Sequence, residues 1–166
     1  TNNIGDALGT TLILNLSCCI LPEGATVTLF SDCTTSGTLI GSDSYVDLNG
    51  HTLYAERKLA SFGAQADKNL FVYSSKSGAR ICQTPTVDSG SGYVVEARNE
   101  NSKIYLGYES AEKRCEHRIE VFCGAFAELH GAGAQVYLSR LSVCANGRDN
   151  YGFLNICGGT DTTRAY

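Results

Sequence analysis

The sequence predicts an all-β chain wound as a β-solenoid, a parallel β-helix of about six coils forming one domain over 1–166, with an antiparallel β-sandwich or barrel as the alternative. Three observations carry the prediction. Short runs with period-two alternation, among them TVTLF, YVDL, HTLYA, NLFVY, GYVVEA, SKIYL and QVYL, recur along the chain and are bounded by Gly, Ser, Asn or Asp. One anchor from each longer run gives Val27, Val46, Val72, Val94, Ile119 and Val136, a mean step of about 22 residues, within the range of solenoid repeats. Asn49-Gly50 lies between two alternating runs, where a coil must change direction and residues that accept positive φ are needed. The same dipeptide is the strongest short hairpin signal, so it is the recurrence along the chain that decides for the solenoid.

In chain order a second strand follows each anchor, at Ile40, Leu53, Ile81, Ile104, Leu129 and Val143, which gives two strands per repeat. Helical periodicity is scarce. The charged segments 55–69 and 109–120 are expected to hold a turn or two of helix, or surface loops. Four cysteines close apolar runs just before a turn, in RICQ (Cys82), EVFCG (Cys123), SVCANG (Cys144) and NICGG (Cys157), a packing position for a small buried hydrophobe. Buried thiols are therefore expected, with a disulfide framework as the alternative for this cysteine-rich chain of eight. Cys82, Cys123 and Cys144 are spaced so that they would stack along the solenoid axis.

Composition narrows the function. With 43% apolar and 18% charged residues, 18 Gly and only 2 Pro, the chain suits a folded, strand-rich protein. The formal net charge of -4 and the lack of any Lys/Arg run longer than two residues argue against nucleic acid as a partner. No apolar run approaches the roughly 20 residues of a membrane span, so no membrane insertion is expected. An N-terminal Thr1 fits a removed signal peptide, a removed initiator Met or a trimmed chain. No C-x-x-C occurs, and His51, His117 and His130 do not stand at zinc-finger offsets from a Cys pair, so no metal is expected. GAGA at 131–134 lacks a phosphate-binding fingerprint, GGTDTT at 158–163 is only a partial calcium-loop match, and no G-x-S-x-G is present; no cofactor is expected.

The segment 20–55, ILPEGATVTLFSDCTTSGTLIGSDSYVDLNGHTLYA, resembles right-handed parallel β-helix domains of bacterial surface proteins and of phage fibres and tailspikes. The matching residues are Val27, Thr28, Leu29, Ser31 and Asp32, then Asp47, Leu48, Asn49, Gly50, His51, Thr52 and Leu53. NLFVYSSKSGARIC (69–82) looks like the next coil, and beyond residue 82 only the repeat rhythm carries the likeness. The resemblance implies a single-stranded right-handed parallel β-helix in an extracellular, cell-surface or virion setting. It is specific for a fold and not for a reaction.

Similar folds include pectate lyases, polygalacturonases and tailspike glycosidases, which makes paired carboxylates worth testing. Coils stacked ~4.8 Å apart would bring groups one or two coils apart to glycosidase separations, and Asp47 and Glu96 are the candidates. The catalytic signatures of those enzymes, a Gly-His-Gly or an Arg-Ile-Lys near clustered Asp, do not occur, and LHGAG around His130 is a weak echo. Asp47 otherwise reads as a solvent-facing residue beside a turn, and His51 as a turn residue. The nine tyrosines recur in or beside the runs; Tyr45, Tyr54, Tyr73, Tyr93 and Tyr105 are candidates for a protein interface or for sugar stacking, against the simpler role of partly buried rings. The expected function is a non-enzymatic structural or adhesive subunit that forms a homo-oligomer on a virion or cell surface as a decoration, fibre or filament protein. A secreted carbohydrate-binding or polysaccharide-degrading module, with surface glycan as partner, is the first alternative. A disulfide-rich secreted defence or effector protein is the second.

Overall fold

A computed structural model describes residues 2–4, 13–14, 18–35, 37–55, 62–83, 93–122, 125–129, 131–139, 142–144 and 164–165. Within these residues the chain is all-β, with no helix. The strands come in threes: β1 (Asn2–Ile4), β2 (Ile13–Leu14) and β3 (Cys18–Ile20); β4 (Thr26–Leu29), β5 (Cys33–Thr35) and β6 (Thr38–Gly41); β7 (Ser44–Asp47), β8 (Thr52–Ala55) and β9 (Phe62–Ala64). They continue as β10 (Asn69–Tyr73), β11 (Arg80–Gln83) and β12 (Tyr93–Ala97); β13 (Lys103–Leu106), β14 (Glu120–Phe122) and β15 (Ala125–Leu129); then β16 (Gln135–Leu138), β17 (Ser142–Cys144) and β18 (Arg164–Ala165). Every third strand joins the same sheet. The first sheet runs β1-β4-β7-β10-β13-β16-β18, the second β17-β14-β11-β8-β5-β2 and the third β15-β12-β9-β6-β3. All of these pairings are parallel, giving a β-solenoid-like fold in which one strand in each sheet makes a rung.

Parallel pairing leaves no place for the antiparallel sandwich or barrel. The one antiparallel contact among the described residues is the isolated bridge between Tyr108 and Arg114. Asn49-Gly50 is accordingly a corner and not a hairpin: β7 pairs with β4 and β10, while β8 pairs with β5 and β11. Asn49 (φ 48°) and Gly50 (φ 79°) both take positive φ, and the His51 N–H closes the turn on Leu48 O at 2.8 Å. That is the dihedral demand of a type I′ turn, met here by the two residue types that tolerate it.

The core follows from alternation read across rungs. Val27, Val46, Val72 and Leu106 stack in the first sheet, Cys33, Leu53, Ile81 and Val121 in the second, and Leu39, Phe62 and Val95 in the third, all buried. These columns join in one hydrophobic cluster. The expected two strands per repeat are corrected to three. Val94 lies in the third sheet and Ile119 precedes β14 of the second, whereas Val27, Val46, Val72 and Val136 are in the first, so the sequence anchors jumped between sheets. Strands as short as FGA carry too few alternations to stand out as separate elements.

A second regularity lies where the third sheet hands the chain back to the first. Four-residue turns close there through N–H groups of Ala25 onto Pro22 O (3.0 Å), Lys68 onto Gln65 O (3.2 Å), Ser102 onto Asn99 O (3.2 Å) and Ala134 onto Gly131 O (3.0 Å). The third residue of each, Gly24, Asp67, Asn101 and Gly133, has positive φ, as a type II turn requires. Asp43, φ 53°, does the same in the shorter connection 42–43.

The expected helical segments are not helical where described. Residues 62–64 are β9 and 65–68 a turn, while 56–61 lie outside the described residues. Residues 107–119 form a hairpin-like excursion closed by the Cys115 N–H on Gly107 O (2.9 Å) and the Glu109 N–H on Lys113 O (2.9 Å). The alternating charges there had mimicked a helical surface. By strand register Cys82 is neighboured by Tyr54 and Phe122, and Phe122 by Cys144, so Cys82 and Cys144 do not fall in adjacent rungs; Cys123 and Cys157 lie outside the described residues. Cys19 and Cys33 are free thiols, and burial together with the neighbouring Asp32 charge pushes the Cys33 thiol up to about 12.

Candidate functional site: an aromatic ladder on the first sheet

Successive side chains of a strand point to opposite faces, so beside the buried Val46, Val72 and Leu106 the outer face of the first sheet carries Tyr45, Phe71 and Tyr105. Parallel register puts Tyr45 opposite Phe71, Phe71 opposite Tyr105, and Tyr105 opposite Tyr137. The rings stack in one column. Centroids are 5.2 Å apart for Tyr45 and Phe71, 4.7 Å for Phe71 and Tyr105, and 4.3 Å for Tyr105 and Tyr137, with the last pair only 4° from parallel. Tyr108, at the base of the hairpin, adds an edge-on contact to Tyr105 at 5.7 Å. Each such pair is worth about 0.5–1.5 kcal/mol beyond the area it buries.

The column shields its own middle. Phe71 is 7% and Tyr105 6% exposed, because their faces are covered by their neighbours, while Tyr45 and Tyr137 are half-buried. Burial first, and then the adjoining Tyr137 and Tyr108 hydroxyls, push the Tyr105 phenol up to about 12. Tyr137 donates its hydroxyl to Gln135 Oε1 at 2.6 Å. Tyr73, two residues from Phe71 on the same face and in register with Asp47, is also raised, by burial and then by the Asp47 and Glu109 carboxylates. With both values raised, Tyr73 and Tyr105 are neutral at physiological pH.

The five tyrosines singled out from the sequence are divided among the sheets. Tyr45, Tyr73 and Tyr105 share the first sheet; Tyr54 is half-buried in β8 of the second, and Tyr93 belongs to β12 of the third. Phe71 is not marked by the recurrence of tyrosine, because the column mixes Phe with Tyr. The legible signal was the recurring tripeptide SYV, LFV, IYL and VYL.

Asp47 and Glu96 are not brought together, since β7 belongs to the first sheet and β12 to the third. Asp47 is 7% exposed, contrary to the solvent-facing placement expected of it, and its Oδ1 accepts the backbone N–H groups of Asn49 (2.8 Å) and Ser75 (2.9 Å). It therefore ties one rung to the next. Glu96 is ion-paired with Arg98 and stands in register with Glu128. His51 Nδ1 lies 3.6 Å from Asp32 Oδ1, an oxygen that also accepts the Thr52 N–H at 2.8 Å. Among the described residues no group of three His, Cys, Asp or Glu side chains could hold a metal ion, and no helix is long and apolar enough to cross a membrane.

Compared with protein-family models, with curated proteins and with solved structures, the chain finds no match.

Proposed function

We propose that the chain is a non-enzymatic structural or adhesive subunit, wound as a single-stranded right-handed parallel β-helix of about six coils, that assembles into a homo-oligomer on a virion or cell surface. The observation that supports this reading is the use made of polar side chains. Asp43 accepts from Lys68 and Asn69, Asp47 from Asn49 and Ser75, Asn49 donates to Leu29 O, Asn99 to Ala64 O and Asn101 to Asp67, so side chains able to do chemistry are committed to joining rungs. Shape and rigidity are what such an arrangement supplies.

Size-exclusion chromatography with light scattering, followed by negative-stain imaging, tests the proposal. A discrete oligomer or filament, with no uronide release and no signal on a glycan array, is the expected result. A stable 17.7 kDa monomer that turns over polysaccharide would overturn it in favour of the carbohydrate-active alternative.

A further inference from the structure

The Asn49-Gly50 corner contains the pair of residues most prone to spontaneous loss of a side-chain amide. The Gly50 nitrogen attacks Cγ of Asn49, the new C–N bond closes a five-membered succinimide, and the proton leaves with departing ammonia. Water then opens the ring at either carbonyl, giving aspartate or isoaspartate, with no oxidation or reduction. Gly favours this because it puts no Cβ in the path of its own nitrogen.

Every group in that reaction is engaged by a neighbouring rung. The Gly50 N–H, which must be lost for attack, donates to Ser74 Oγ at 2.9 Å. Ser74 is buried, and its own hydroxyl is fixed by donation to Lys76 O at 2.6 Å. The Asn49 side chain is drawn to the preceding rung, its Nδ2 donating to Leu29 O at 2.9 Å, while Ser75 Oγ donates to its Oδ1 at 3.4 Å. Residues 76 and 77 sit over the glycine so closely that a Cβ there would lie 2.8 Å from Ser77 O.

We propose that Asn49 is a latent modification site, sheltered while residues 74–77 are seated and converted to aspartate or isoaspartate once they lift, so that separation of the two rungs becomes irreversible. The product cannot restore the corner. A carboxylate in place of the amide has no donor for Leu29 O and sets a negative charge against that carbonyl, and an isoaspartate adds a methylene to a backbone turn of fixed length. Opening thereby leaves a chemical record. The inference is independent of the proposed function.

Peptide mapping of the full chain, held at neutral pH either native or in urea, tests it by the amide-to-acid mass shift at 49–50; the second pair, Asn146-Gly147, falls in a separate peptide. If reaction requires opening, the native rate is the open-state rate scaled by the open fraction, and Asn49 is expected to convert at least about tenfold more slowly in the native chain than in urea. Ser74→Ala should raise the native rate several-fold while Ser74→Thr, which keeps the hydroxyl, should not. Should Ser74→Ala fail to fold, exchange of the wild-type Gly50 amide serves instead, and must follow the conversion rate across a temperature series. Equal native and urea rates would overturn the shelter. Asn49→Asp unfolding at the same urea concentration as wild type would overturn the latch.

Discussion

The Asp43 carboxylate shows how single residues hold this chain in register. One oxygen accepts the Asn69 N–H (3.0 Å) and Nδ2 (2.7 Å), the other accepts Lys68 Nζ at 2.8 Å, and Glu23 lies 3.5 Å beyond the same ammonium. Partial burial alone would raise this carboxyl, but the hydrogen bonds from Lys68 and Asn69 together hold it below the ordinary aspartate value, while the bond to Asp43 raises Lys68. Asp43 therefore contributes stability at neutral pH that is lost as the pH falls through its lowered value. Lys68 contributes stability that is lost as the pH rises through its raised one. Urea midpoints measured from acid to alkaline pH should thus fall at both ends, and Asp43→Asn should flatten both limbs; superimposable curves would contradict the assignment. At the opposite corner, Asn49→Ala loses the bond to Leu29 O and places a Cβ residue lacking local hydrogen bonds at positive φ, for an expected cost of about 2–3 kcal/mol. Asn49→Gly keeps the backbone freedom and should cost only about 1 kcal/mol, a difference readable in urea melts.

Among elements, the first-sheet strands are bound twice, by their backbone ladder and by the ring column outside it. Tyr105 sits between Phe71 and Tyr137 with Tyr108 on its edge, so Tyr105→Ala should cost about 3–5 kcal/mol, whereas Tyr105→Phe, which keeps the stack, should cost about 1 kcal/mol. Equal losses in urea denaturation would mean that the hydroxyl and not the stack carries the energy. Much of this element structure was legible. Alternation in TVTL and NLFVY located β4 and β10, and Asn49-Gly50 marked a corner because both residues tolerate positive φ. Strands of the third sheet were legible at Ile40, Val94 and Leu129, but not as a sheet of their own, since CCI and FGA are too short to show a period and so break the rhythm of three. The four type II corners were also missed. PEGA, QADK, NENS and GAGA share only a residue at the third place that accepts positive φ, and that likeness emerges only when the turns are superposed on their hydrogen bonds.

For the whole molecule, one column of side chains runs from rung to rung through each sheet, so a defect in a middle rung is felt above and below it. Leu53 lies between Cys33 and Ile81 with no exposure, and Leu53→Ala should cost about 2–5 kcal/mol, checked by chemical denaturation. Amide exchange should be slowest in β7, β8, β10 and β11, whose strands are paired on both sides, as expected where stability is a sum of neighbouring contacts. The described corners differ in what they allow. From the first sheet to the second the described connections range from 30–32 to 107–119, but from the third back to the first they stay between 42–43 and 98–102. The first of these corners absorbs length and the other does not. A foreign peptide spliced among Ser110, Ala111 and Glu112 would be carried outward on a ready-made stalk; the same peptide placed between Glu100 and Asn101 would prise two rungs apart. The fold is thus already arranged to carry an added segment at the 107–119 excursion and to refuse one at the 98–102 turn.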